Sequence, residues 1–176
     1  MLKIFSTQLN GIFSKIQQDN EFAFEDAARL LAQTVLSQGT VYFTGKDEME
    51  AVCAEGIHGQ EAFSNAKRLN ASEISGLTSV DTVIASARFH CDQQTLALLQ
   101  EIKHNTDANL IFLASQNEKE EETVPYCDAF IDLKVKKGLV PSENGERVGI
   151  PSAMAGLFAY HALFLTAKEI LEEYED

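Results

Sequence analysis

The sequence predicts a three-layer α/β/α domain built on a mostly parallel sheet of about five strands. Three observations carry this. Short apolar runs rich in strand formers alternate with helix-spaced segments through the middle of the chain, the pattern of parallel strands joined by crossover helices. Amphipathic helices stand at both ends. No repeat or long linker divides the 176 residues, a length that suits one domain spanning residues 1–176 and able to bury its own core.

Leu2, Phe5, Leu9, Ile12, Phe13 and Ile16 recur every three or four residues and predict a first helix. After a polar break at Gln17–Asn20, Phe24, Ala27, Ala28, Leu31 and Val35 form the stripe of a second, with Gly39 as its stop. Val41, Tyr42 and Phe43 mark the first strand, Thr40–Thr44. Asp47 is read as the cap of a short helix reaching Glu55, at capping-box spacing from Glu50, with Gly56 and Gly59 closing it. Ala66–Leu69 reads as a short strand.

The organising stretch is Asp81–Thr95. Val83, Ile84 and Ala85 have the unbroken apolar character of a strand buried on both faces. The segment Ser86–Cys91 reads as an abrupt polar exit, and Asp92 as the N-cap of a helix over residues 93–105 carrying Leu96, Leu99 and Ile102. Leu110–Leu113 and Ala129–Leu133 are the remaining strands. Glu118–Glu122 reads as a solvated acidic loop, and Gly138–Gly149 as loop. Ser152 is expected to cap a final helix running to Tyr174.

Fourteen basic residues stand against twenty-seven acidic ones, a formal charge of −13, which argues against a nucleic-acid surface. An anionic ligand must therefore be held by local positive groups against the field of the molecule. No apolar run reaches membrane-span length, and Ser6, Thr7 and Gln8 interrupt the apolar pattern of the N-terminus, so neither a membrane span nor a signal peptide is expected. Cys53, Cys91 and Cys127 lack metal-finger spacing and suit a reduced, cytoplasmic protein. His90, Cys91 and Asp92 are ligand types, but consecutive residues seldom converge on one ion, so no metal is expected. Walker and dinucleotide glycine patterns are absent, and no cofactor is expected.

The order of elements resembles the SIS (sugar isomerase) domain: two leading helices, a strand ending Thr44-Gly45, a strand ending Ser86, two further strands and a long last helix. Within that group it is most similar to the phosphoheptose isomerase branch. The stretches MLKIFSTQLNGIFSKIQ and EDAARLLAQTVLSQGTVYFTG also resemble an uncharacterised bacterial family allied to SIS domains. The resemblance implies a phosphosugar ligand held after the first and central strands. Where such domains carry a Gly-rich turn with a serine, this chain has Gly45-Lys46-Asp47-Glu48-Met49-Glu50. Of their Ser-x-Ser-Gly-x-Thr signature, Ser86 stands at the first serine, Arg88 at the second and Phe89 at the glycine; Thr95 takes the threonine's place only with a longer loop. Glu55 and His161 are the nearest counterparts of the branch's proton-transfer pair.

The candidate ligand set is thus Thr44, Gly45, Lys46, Ser86, Arg88 and Thr95. Arg88 is suited to bidentate phosphate binding; the alternative is that Lys46 and Arg88 are solvated or paired with nearby acids. Aspartates at the helix starts satisfy the N–H groups that a phosphate would use. Glu55 is equally explained as surface charge, and His161 as a residue packed on an apolar helix face. Two functions follow: a sugar-phosphate aldose–ketose isomerase, or a catalytically inactive SIS-like ligand-binding or assembly module. Apolar stripes on the first and last helices lead us to expect a homodimer or homotetramer.

Overall fold

A computed structural model describes residues 1–116 and 126–174. Five parallel strands form the sheet: β1 (Val41–Gly45), β2 (Ala66–Arg68), β3 (Thr82–Phe89), β4 (Asn109–Ser115) and β5 (Ala129–Asp132), in the order β2-β1-β3-β4-β5. A two-stranded antiparallel hairpin, β6 (Val140–Pro141) and β7 (Arg147–Val148), follows within the stretch expected to be loop. The helices are α1 (Leu2–Asp19), α2 (Glu21–Leu36), α3 (Glu50–His58), α4 (Gln93–Asn105) and α5 (Ser152–Glu173).

Side-chain alternation along the strands sorts the core into two layers. Val41 and Phe43 of β1, Ile84 of β3, and Ile111 and Leu113 of β4 face a layer formed with α1, α2, α3 and α5. Tyr42, Val83, Ala85, Leu110 and Phe112 face the other side, where Leu99 and Ile102 of α4 meet Ile74 and Leu77. Both faces are covered, which is why the strands read as continuous apolar runs. The helices leading and ending the chain therefore lie on the same face. Phe13 of α1 stacks on Phe158 of α5 at 4.5 Å between centroids. The α1–α2 turn is fastened by Asn20: its Nδ2 donates to the Ile16 and Asp132 carbonyls at 2.8 and 3.0 Å, and its Oδ1 accepts from Asp132 N at 2.9 Å.

Four local expectations change. Asp47 is not a cap, because its φ of 51° is left-handed where an N-cap is extended. It opens a 3₁₀ turn, Asp47–Met49, from which α3 continues, and Lys46 holds the extended position before that turn. Gly56 lies inside α3 rather than ending it, because a Cβ there would sit 2.3 Å from the Phe43 ring; only Gly59 is terminal. The polar exit after Ser86 is still strand: β3 continues to Phe89, which pairs with Ser115 beyond an irregularity in the ladder. Ser152 is the first helical residue of α5, preceded by Pro151, and its side chain makes no cap bond.

A capping box formed by Asn70 and Glu73 starts a second 3₁₀ turn, Ala71–Gly76, that the strand-and-helix pattern did not predict. The acidic run Glu118–Glu122 lies outside the described residues. Among the described residues, no helix is long and apolar enough to cross a membrane.

Candidate functional site

In a 2-1-3-4-5 parallel sheet the connections leave β1 and β3 in opposite directions, opening a crevice at their carboxyl ends. Here β1 and β3 are register partners to their tips, Gly45 opposite Ser86. A pocket of about 170 Å³ occupies this place, lined by Thr44, Gly45, Lys46, Ser86, Gln94, Thr95 and Leu98. Five of the six ligand residues suggested by the sequence thus converge, while Gln94 and Leu98, one turn apart on α4, were not foreseen. Their only sequence signal was membership in the first turns of a helix entering the crevice.

Local packing builds the walls. A Cβ at Gly45 would stand 2.8 Å from the Met49 carbonyl oxygen and 2.9 Å from Cys53 Sγ, so the strand end can turn directly beneath α3 only as glycine. Ser86 is buried, and its hydroxyl points to the carbonyls of Met49 and Thr44 at 3.3 and 3.4 Å. Both neighbours are acceptors, so the hydroxyl meets them as a donor and offers its lone pairs to anything in the pocket.

Asp92 caps α4 as its position predicts, accepting from Thr95 N at 2.9 Å and Thr95 Oγ1 at 2.8 Å. Its other oxygen receives Lys46 Nζ at 2.7 Å. Burial alone would raise the Asp92 carboxyl; Lys46 and the two Thr95 donors outweigh it and hold the group below its ordinary value. The positive end of α4 and the crevice lysine are both occupied by one carboxylate of this chain.

Arg88 lies outside the pocket lining. Its Nε and Nη2 donate to the two carboxylate oxygens of Glu48 at 2.6 and 2.7 Å, so both cations considered for a phosphate are paired with acids. This fork, above all, holds the Glu48 carboxyl below the usual carboxylate range. The sequence placed Glu48 only within the acidic stretch after Gly45, and its fork with Arg88 is the pairing with a nearby acid that stood there as the alternative.

The proton-transfer pair is not brought to the crevice within one chain. Glu55 is in the last turn of α3 and folds over that helix end, its Oε1 2.2 Å from where a Gly59 Cβ would be. His161 lines a different groove of about 460 Å³ with Glu21, Phe24, Glu25, Phe158 and Leu165. Its ring also lies beside Tyr160, 5.7 Å between centroids. Among the described residues, no group of three or more His, Cys, Asp or Glu could hold a metal ion.

Residues 1–171 match the family described as "Domain of unknown function (DUF2529)". The chain belongs to this family. A DUF2529 relative by full-length similarity is "Uncharacterized protein YwjG" of Bacillus subtilis (strain 168), 42% identical over 178 residues that cover 99% of each chain. Solved structures show the fold at much lower identity. Phosphoheptose isomerase GmhA from Neisseria gonorrhoeae superposes with a TM-score of 0.57 at 10% identity, covering 96% of this chain and all of that one (100%). The Vibrio vulnificus NanR protein complexed with ManNAc-6P gives 0.57 at 10% identity, over 97% of this chain and 65% of that one. The DUF2529 chain therefore has the SIS-type α/β architecture, and at these identities the likeness concerns fold alone.

Proposed function

We propose that this chain is a phosphosugar-binding module whose ligand enters the crevice between β1 and β3. The observation that carries the reading is the convergence of Thr44, Gly45, Lys46, Ser86 and Thr95 on one pocket at the switch point of the sheet. Lys46 supplies the charge for the phosphate by leaving Asp92, Gln94 supplies an amide for sugar hydroxyls, and Leu98 supplies an apolar wall. A relative by fold, NanR, is complexed with a sugar phosphate, ManNAc-6P, which supports the ligand class.

Binding is favoured over isomerisation. An aldose–ketose isomerase needs a base and an acid at adjacent carbons of the substrate. Glu55 and His161 line neither this pocket nor each other's surroundings, so catalysis would require a second copy of the chain to bring α5 to the crevice. Self-association as a homodimer or homotetramer through α1 and α5 is proposed separately from either reading. A reducing, cytoplasmic setting suits Cys53, Cys91 and Cys127, which lack metal-finger spacing.

The test is calorimetric titration with sedoheptulose, fructose and arabinose phosphates, alongside a turnover assay on the same compounds. Binding of at least one, weakened in Lys46→Ala and without turnover, is the expected result. Absence of binding to all three at millimolar concentration would overturn the ligand class. Turnover abolished by His161→Ala would instead establish the isomerase.

A further inference from the structure

From Ser152 to Ala167, α5 carries no Lys, Arg, Asp or Glu. One side of it, with Ala155, Ala159, Tyr160, Leu163 and Ala167, is buried in the core. The opposite side is the stripe Met154, Phe158, His161 and Leu165, whose spacings of four, three and four residues put it on one helix face over about 16 Å. Phe13 of α1 covers Phe158, but the ends of the stripe are open: Met154 is 48% exposed and Leu165 57%. A helix that is apolar all round is ordinarily covered all round.

The neighbouring α1 runs in the same direction as α5. A Cβ on Gly149, just before α5, would stand 3.2 Å from the Phe5 ring. Further along, Phe13 stacks on Phe158, and Gln17 shares the groove of about 460 Å³ with His161 and Leu165. The two ends of this layer are opposite in charge. Residues 1–18 include Lys3 and Lys15 and no acid. Lys3, Asn10 and Gln17 recur every seven residues, so Lys3 lies on the flank of α1 that borders the groove. At the other end the groove is rimmed by Glu21 and Glu25 above the Phe24 and Phe158 rings. Arg29 engages Glu25 at 3.0 Å. Among the described residues, Lys3 and Glu21 make no ion pair.

From these features we infer that the face is the interface of a two-fold symmetric dimer in which the α1/α5 layers of two copies pack antiparallel. In such a contact each copy presents the same patch to the other. Turning one layer end over end, about an axis between Phe158 and His161, sets Leu2, Lys3 and Met154 of one copy against the groove of the other, and the same contact is made twice. Leu2, which is 79% exposed, and Met154 cover the apolar floor, and Lys3 of one copy meets Glu21 of the other. A parallel arrangement would bring Glu21 against Glu21 in chains that each carry a formal −13, and like charges in contact oppose association. The patch holds both halves of its own complement, which selects a second copy as the occupant and sets its direction. None of these residues lines the β1/β3 crevice.

Sedimentation of the full chain at micromolar concentration should give twice the mass of one chain. Leu165→Glu places a charge in the middle of the apolar contact and should weaken the dimer about a hundredfold or more. Its far-ultraviolet circular dichroism should match the parent, because Leu165 is exposed in the single chain. Lys3→Glu and Glu21→Lys should each weaken the dimer about tenfold or more. Mixed in equal amounts, these two variants should regain the strength of the parent, since their heterodimer restores both pairs of opposite charge. Lys3 and Glu21 stand about 27 Å apart along α1, so the recovery cannot arise within one chain. Should Leu165→Glu fold poorly, the mixing experiment carries the test alone. A monomeric parent at the same concentration would give the face to a different partner and overturn the proposal. A dimer indifferent to a well-folded Leu165→Glu, or charge variants that mixing does not restore, would overturn it as well.

Discussion

Lys46 Nζ lies 2.7 Å from Asp92 Oδ2, so the end of β1 is tied to the start of α4 across the mouth of the crevice. Asp92 does two things at once: it caps the helix through Thr95 and neutralises the lysine. These roles separate by mutation. Asp92→Ala removes the cap and should destabilise the fold by about 1 kcal/mol, within the roughly 0.5–2 kcal/mol range of such losses. Asp92→Asn keeps a capping oxygen and should cost less. Lys46→Ala removes only a partly exposed pair, worth about 0–1 kcal/mol. Urea unfolding of the three variants checks the order. If Asp92 competes with an anion for Lys46 and the α4 amides, Asp92→Asn should also bind sugar phosphates more tightly than the parent.

Acid should weaken two fastenings, the Lys46–Asp92 pair and the Arg88–Glu48 fork. Asp92 and Glu48 both titrate below their ordinary values in the folded chain, Glu48 chiefly through the Arg88 fork. A carboxyl whose folded pKa is depressed adds stability that is complete above its unfolded pKa and disappears as pH falls through the folded one. With unfolded values near 4, as is ordinary for Asp and Glu, these pairs should hold their full contribution at neutral pH and lose it progressively below about pH 4. Melting temperatures followed from pH 7 to pH 3 should fall more steeply for the parent than for Glu48→Gln/Asp92→Asn. Equal slopes would show that neither pair is linked to folding.

How much of this was legible depended on whether the cause was local. Val83–Ala85 announced a buried strand because both its faces are covered, and Asp92 announced a helix start because a cap needs only the residues beside it. The crevice was legible for the same reason, since strand ends fix it. Arg88 shows the limit. Its guanidinium meets Glu48, forty residues earlier, and nothing near Arg88 in sequence says so. A concavity lined by Lys15, Lys134, Lys136 and Lys137 was missed altogether, although the run Lys134-Val135-Lys136-Lys137 is conspicuous in so acidic a chain. That run lines a concavity only when α1 brings Lys15 opposite it. Gly56 failed for a related reason: a glycine near a helix end reads as a stop, and only the Phe43 ring of a neighbouring strand reveals it as a contact.

That contact is the basis of a paired prediction. Gly56→Ala would place a methyl 2.3 Å from two atoms of the Phe43 ring, which is itself fully buried, so strand and helix must separate. Overpacking of this kind costs about 1–3 kcal/mol. Gly11, in the exposed part of α1, has nothing within 4 Å of the same position, so Gly11→Ala should stabilise the chain by about 0.4–1 kcal/mol. Opposite shifts in the urea midpoint are expected, and a shared direction would contradict the packing described for α3.

Asn20 offers the sharpest test of how the leading helices are held to the sheet. Its side chain satisfies the Ile16 carbonyl and both backbone groups of Asp132 from a buried position. In Asn20→Ala those groups lose their partners; a buried unsatisfied group costs about 1–3 kcal/mol. Asn20→Asp restores the acceptor but not the donor, so it should recover part of the loss for Asp132 N alone. Because Asp132 Oδ1 also accepts from Lys134 N at 2.9 Å, the disturbance should spread to the turn at Lys134 and spare the crevice. Amide hydrogen exchange reads this directly: faster exchange at Asp132 and Lys134 with unchanged protection at Ser86 is expected, and uniform loss of protection would mean that Asn20 acts on global stability alone.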